Sequence, residues 1–111
     1  MNYYLVELAG KEYKARLTAK AACDLEDKLK TNPINVLLNA HEGKLPKLKD
    51  LLTILHASLQ TLEHGITMDD VYRLWDEHLA NGGKLEDLIN IVIGVFQHSG
   101  LLSYEKPEET I

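Results

Sequence analysis

The chain has 111 residues, 45% hydrophobic and 26% charged, with net charge −5 at pH 7 and one cysteine. That is enough material for a single globular core and too little for two domains. The apolar fraction excludes a disordered chain, the longest apolar runs fall short of a membrane span, and Cys23 has no second cysteine to pair with.

The acidic balance also speaks against nucleic acid as a partner. Phosphate binding needs clustered Lys and Arg, and here the densest group (Lys44, Lys47, Lys49) is interrupted by leucine, proline and Asp50. The amino-terminal run Tyr3, Tyr4, Leu5, Val6, Glu7 has no basic stretch leading into an apolar one, so no signal peptide is expected. A lone cysteine fits a reducing cytoplasm, and no membrane association is expected.

Residues 2–17 read as a β-hairpin with Gly10-Lys11 as its two-residue turn. Counting outward, Leu8 faces Tyr13, Val6 faces Ala15 and Tyr4 faces Leu17 on one side. Glu7 faces Lys14 and Leu5 faces Arg16 on the other. Thr18 then suits an N-cap for a helix over about 19–31 with Ala22, Leu25 and Leu29 inward and Asp24–Lys28 and Glu26–Lys30 pairs outside. Asn32-Pro33 opens a second helix, about 33–42, through Ile34, Leu37, Leu38 and Ala40. A third, about 46–64, carries the most regular stripe (Leu45, Leu48, Leu51, Leu52, Leu55, Leu59, Leu62) and stops at Gly65. Thr67 caps a fourth, about 68–80, with Asp69 and Asp70 in its first turn and Val71, Leu74, Trp75 and Leu79 inward.

The fifth helix, about 85–99, is apolar nearly all round. It belongs either at the centre of the core or against a partner, and Gly94 would let another backbone approach. The expected architecture is α+β: one predominantly helical domain over residues 1–103, followed by a flexible acidic tail at 104–111. The expected core holds Tyr4, Val6, Leu8, Tyr13, Ala15 and Leu17 of the hairpin. It adds Leu25, Leu29, Leu48, Leu52, Leu55, Leu59, Leu74, Trp75, Leu88 and Val92 of the helices.

No constellation for catalysis stands out. His56 and His64 lie two helical turns apart, but Glu63 is the only carboxylate beside them, so no metal site is expected. His41, His78 and His98 fall near helix ends, where imidazoles meet terminal carbonyls. Cys23, beside Ala21, Ala22 and two carboxylates, reads as a small buried filler rather than a nucleophile. Gly82-Gly83-Lys84 lacks the spacing of a phosphate loop, and the acidic residues around Asp69 and Asp76 match no calcium loop. The expectation is a non-enzyme without catalytic residues, cofactor or metal. A helix-turn-helix over Leu59–Leu79 is the nearest rival, but its second helix would turn Asp69, Asp70, Asp76 and Glu77 toward DNA phosphates against a single Arg73.

The hairpin with its glycine turn runs into Tyr13-Lys14-Ala15-Arg16-Leu17-Thr18. A helix bearing Leu25-Glu26 and a set of amphipathic helices follow. In this order the chain resembles the tail assembly chaperones of long-tailed (siphovirus-type) phages and gene transfer agents, most closely over Gly10–Leu29 and more loosely to about Leu102. The resemblance implies a bacteriophage or prophage protein of the host cytoplasm, absent from the mature virion. It would bind the tape measure protein and help the tail tube protein assemble around it. The alternative is a self-associating structural subunit, a homo-oligomer built through the same apolar surfaces. The partner-binding residues expected from the pattern are Tyr3 and Leu5, on the outer hairpin face, and Ile91 and Val95, spare by spacing on the fifth helix.

Overall fold

A two-residue turn at Ala9-Gly10 sets the start of the chain. Both residues have positive φ (53° and 79°), as the type I′ hairpin turn requires. In the computed structural model, which describes residues 2–41, 43 and 45–102, this turn joins strands β1 (Tyr4–Leu8) and β2 (Lys11–Ala15). The described residues then form α1 (Ala19–Leu29), α2 (Ile34–His41), α3 (Leu48–Leu59), α4 (Met68–Ala80) and α5 (Leu85–His98). This is the expected α+β hairpin-and-helices architecture. The expected acidic tail, 104–111, lies outside the described residues, as do Lys44 and the side chains of Ala40 and His41.

The hairpin register differs from the expected one by two residues. Tyr4 pairs with Ala15, Leu5 with Lys14, Val6 with Tyr13, Glu7 with Glu12 and Leu8 with Lys11. Strand side chains alternate with a period of two, so a two-residue shift leaves the apolar face intact. Val6, Leu8 and Ala15 are fully buried, and Tyr4 and Tyr13 pack against them. The charge pairing does not survive. Glu7 faces Glu12, not Lys14, and Leu17 lies beyond the ladder, buried in the core all the same. The turn decides this, because its φ > 0 pair falls on Ala9-Gly10 and not on Gly10-Lys11.

Helix starts follow local chemistry closely. Thr18 Oγ1 accepts the Ala21 N–H at 3.2 Å to cap α1, and Asn32 Oδ1 accepts the Ile34 N–H at 3.0 Å to open α2. Thr67 and Asp70 form a reciprocal capping box on α4, with Asp70 N–H donating to Thr67 Oγ1 and Thr67 N–H donating to the Asp70 carboxylate. On α1 the described ion pair is Lys20–Asp24, in place of the expected Asp24–Lys28 and Glu26–Lys30.

The leucine stripe of the third helix is shorter than its spacing implied. α3 begins at Leu48, after Pro46, because the residue before a proline is pushed away from the helical region. Leu45 is therefore 77% exposed and Leu48, an expected core residue, 45% exposed. Leu51, Leu52, Ile54, Leu55 and Leu59 supply the buried face instead. On α2 the inward residues are Val36 and Leu37, and Leu38 turns out to solvent. On α4 Val71 and Trp75 are buried, Leu74 is half-buried, and Leu79 is exposed rather than inward.

α3 is the hub, packing on α1, α4, α5 and β2, while β1 rests on α4 and α5. α5 runs through the core with Leu88, Ile91, Val92, Val95 and Phe96 buried. Gly94 serves a close approach, but by a side chain. The Tyr4 ring lies where a Cβ on residue 94 would stand. None of the described helices is long and apolar enough to cross a membrane.

Candidate interaction surfaces

Side-chain parity divides the hairpin's backbone groups into two sets. In a ladder flanking a two-residue turn, Leu8–Lys11, Val6–Tyr13 and Tyr4–Ala15 exchange hydrogen bonds, so the N–H groups between them point outward. On the β2 side the outward N–H groups of Lys14 and Arg16 are met by the turn after α3 and by α3 itself, while the backbone of Glu12 meets no partner among the described residues. Lys14 N–H donates to the Glu63 carboxylate at 2.7 Å, and Arg16 N–H donates to the Ser58 carbonyl at 2.7 Å. On the β1 side Ala9 N–H donates to His78 Nδ1 at 3.3 Å. The N–H and C=O groups of Leu5 and Glu7 meet no partner among the described residues.

His78 is the post that closes one end of this edge. Its Nδ1 accepts from Ala9, its Nε2 lies 2.9 Å from Asp87 Oδ2, and its ring stacks on Trp75 at 5.4 Å. With Nδ1 accepting, the proton sits on Nε2 and is donated to Asp87. Asp87 also accepts the Lys84 N–H at 2.9 Å, half of a capping box on α5. The Lys84 N–H, and after it the His78 contact, hold the Asp87 carboxyl below its ordinary range. A single imidazole thus ties the hairpin turn to α4 and α5, a role its sequence position near a helix end did not reveal. The expected contact with terminal carbonyls is replaced by this side-chain bridge.

A groove opens beside the free edge of β1, bordered by Leu5 and Glu7 on the strand and by His78, Asn81, Asp87 and Asn90 on the helices. Leu5 is 44% exposed in it. Tyr3, on the same outer face, is half-buried and carries the Lys14 ammonium 5.1 Å from its ring centre. Of the other two expected partner-binding residues, Val95 (1% exposed) is corrected to the chain's own core, and Ile91 (8% exposed) packs in the core while still lining the floor of this groove. α5 is wrapped by α3, β1 and the Tyr4 ring, so its apolar circumference is used up internally.

A second surface lies at the corner between α2 and α3. Leu38 (47% exposed), Leu45 and Leu48 all reach solvent within a short stretch of chain. Leu45 and the buried Pro46 border a groove with Val36, Asn35 and Asp50. Pro46 was the signal for it, because a proline inside a leucine stripe ends the helical reading ahead of it.

The remaining candidates do not converge. Among the described residues no group of three or more His, Cys, Asp or Glu could hold a metal ion. His56 sits half-buried on α3, while His64 is exposed in the turn that follows. Cys23 is exposed on α1, contrary to the buried filler expected. The solvent side of α4 presents Asp69, Asp76 and Glu77, with Arg73 engaged by Asp70. No protein-family model, curated protein or solved structure matches the chain.

Proposed function

We propose that this chain is a non-enzymatic protein-binding module acting as a phage tail assembly chaperone. It would hold the tape measure protein soluble and promote assembly of the tail tube protein around it. The observation that supports the reading is the set of exposed leucines within a short stretch of chain, Leu38, Leu45 and Leu48, of which Leu45 lines a groove between α2 and the start of α3. Single exposed leucines are ordinary on any surface, but several at one corner suit the apolar stripe of an amphipathic helical client. The acidic outer side of α4 supports a protein client over DNA, since each carboxylate would repel phosphate.

Co-expression with the tape measure protein that this reading places in a neighbouring gene tests it. The client should become soluble and co-purify, and a Leu45→Lys, Leu48→Lys double variant that melts like the parent should lose it. A tape measure protein that stays insoluble in the presence of the parent chain overturns the proposal. A stable dimer that ignores the tape measure would favour the self-associating structural subunit instead.

A further inference from the structure

We infer that the free edge of β1 is a strand-addition site for an extended, basic segment of a partner protein. The site lies apart from the leucine corner and does not depend on the client bound there. Its backbone half is the N–H and C=O of Leu5 and Glu7, unpaired among the described residues, which an incoming strand would complete. His78 fills the position at Ala9, so the open stretch has a defined end. The opposite edge is the shorter opening, because Glu63 and Ser58 already take the Lys14 and Arg16 donors and leave Glu12 alone among the described residues.

The groove's charge selects the occupant. Glu7 and Asp87 line it with the amides of Asn81 and Asn90, and among the described residues no Lys or Arg does. In an added antiparallel strand, the residue opposite Glu7 shares its outer face and is best basic, and the residue opposite Leu5 is best apolar. The residue between them turns inward to Asp87 and Asn90, where a lysine finds a carboxylate and an amide oxygen. A folded second copy fits less well. Its own β1 is bordered by an identical helical wall, and Glu7 and Asp87 of both copies would share one interface.

The probe is a blocked hexapeptide of sequence TTKKVT, titrated into the isotope-labelled full chain and followed by amide NMR. Saturable shifts and slowed hydrogen exchange at Leu5 and Glu7 are expected. The TTEEVT peptide should bind at least about ten-fold more weakly. TTKKPT, which lacks the donor opposite Leu5, should also be weakened. Glu7→Lys should prefer TTEKVT, which sets its glutamate opposite residue 7 and keeps a lysine for Asp87, over TTKKVT, the reverse of the parent's order and a change that simple damage to the fold would not produce. Absence of saturable shifts into the millimolar range overturns the inference, as does equal binding of the lysine and glutamate peptides. Protection of Leu5 and Glu7 that grows with protein concentration alone would assign the edge to a second copy. Shifts confined to Leu38, Leu45 and Leu48 would assign the peptide to the leucine corner.

Discussion

The Tyr4 ring lies across Gly94, so that a Cβ on residue 94 would fall 2.3 Å from Tyr4 Cζ. Glycine in mid-helix ordinarily weakens a helix by about 1 kcal/mol relative to alanine. Here alanine must displace the ring that joins β1 to α5. Gly94→Ala should therefore lower stability by about 1–3 kcal/mol despite its better helix propensity. Adding Tyr4→Leu, which removes the obstructing atoms, should recover part of the loss. Urea melts of the two single variants and the double variant measure the coupling. Additive losses would mean that the ring and residue 94 do not meet.

Ala9 holds φ at 53° in the hairpin turn, a conformation that costs an ordinary residue about 1–2 kcal/mol. Asparagine tolerates it and precedes glycine in the favoured type I′ sequence. Ala9→Asn should raise stability by about 0.5–1 kcal/mol, read as a higher urea midpoint at unchanged slope. The His78 bond is unaffected because it uses the Ala9 backbone.

Acid should destabilise the fold in two stages. Burial, with help from the Lys28 ammonium, holds the His56 imidazole below its usual value. The unfolded chain then takes up the proton first, so stability is full above about pH 6.5 and declines as pH falls below it. Asp70 is depressed by the Thr67 N–H and hydroxyl, and Asp87 by the Lys84 N–H and His78. Their contribution is present above about pH 4 and is lost as pH falls further. Melting curves between pH 3 and 8 should show both declines. His56→Gln should flatten the first, and Asp70→Asn with Asp87→Asn the second.

Burial separates residues that look alike along the chain. Leu55→Ala should cost about 2–5 kcal/mol, whereas Leu48→Ala should cost less than about 1 kcal/mol. Val95→Lys should abolish cooperative melting and Leu5→Lys should melt nearly as the parent does, because only the first places an ammonium in the core. Thermal circular dichroism of the four variants checks the order. A Val95→Lys protein that melts like the parent would overturn the packing of α5.

Local chemistry alone determined much of this protein. The helix starts at Thr18 and Thr67, the apolar face of the hairpin and the helical order were legible because caps, periods and turn residues act within a few positions of themselves. The hairpin register, the fate of the leucine stripe and the working surfaces were decided only by tertiary structure. Two registers with the same apolar face differ by where φ turns positive, and an alanine gives no sign that it will bear that strain. α5 looked apolar beyond need until α3, β1 and Tyr4 closed around it, which returned Ile91 and Val95 to the core. His78 meets Ala9 and Asp87 only once the hairpin is laid against α4 and α5. The edge that stays open at Leu5 and Glu7 is what that long-range packing leaves uncovered.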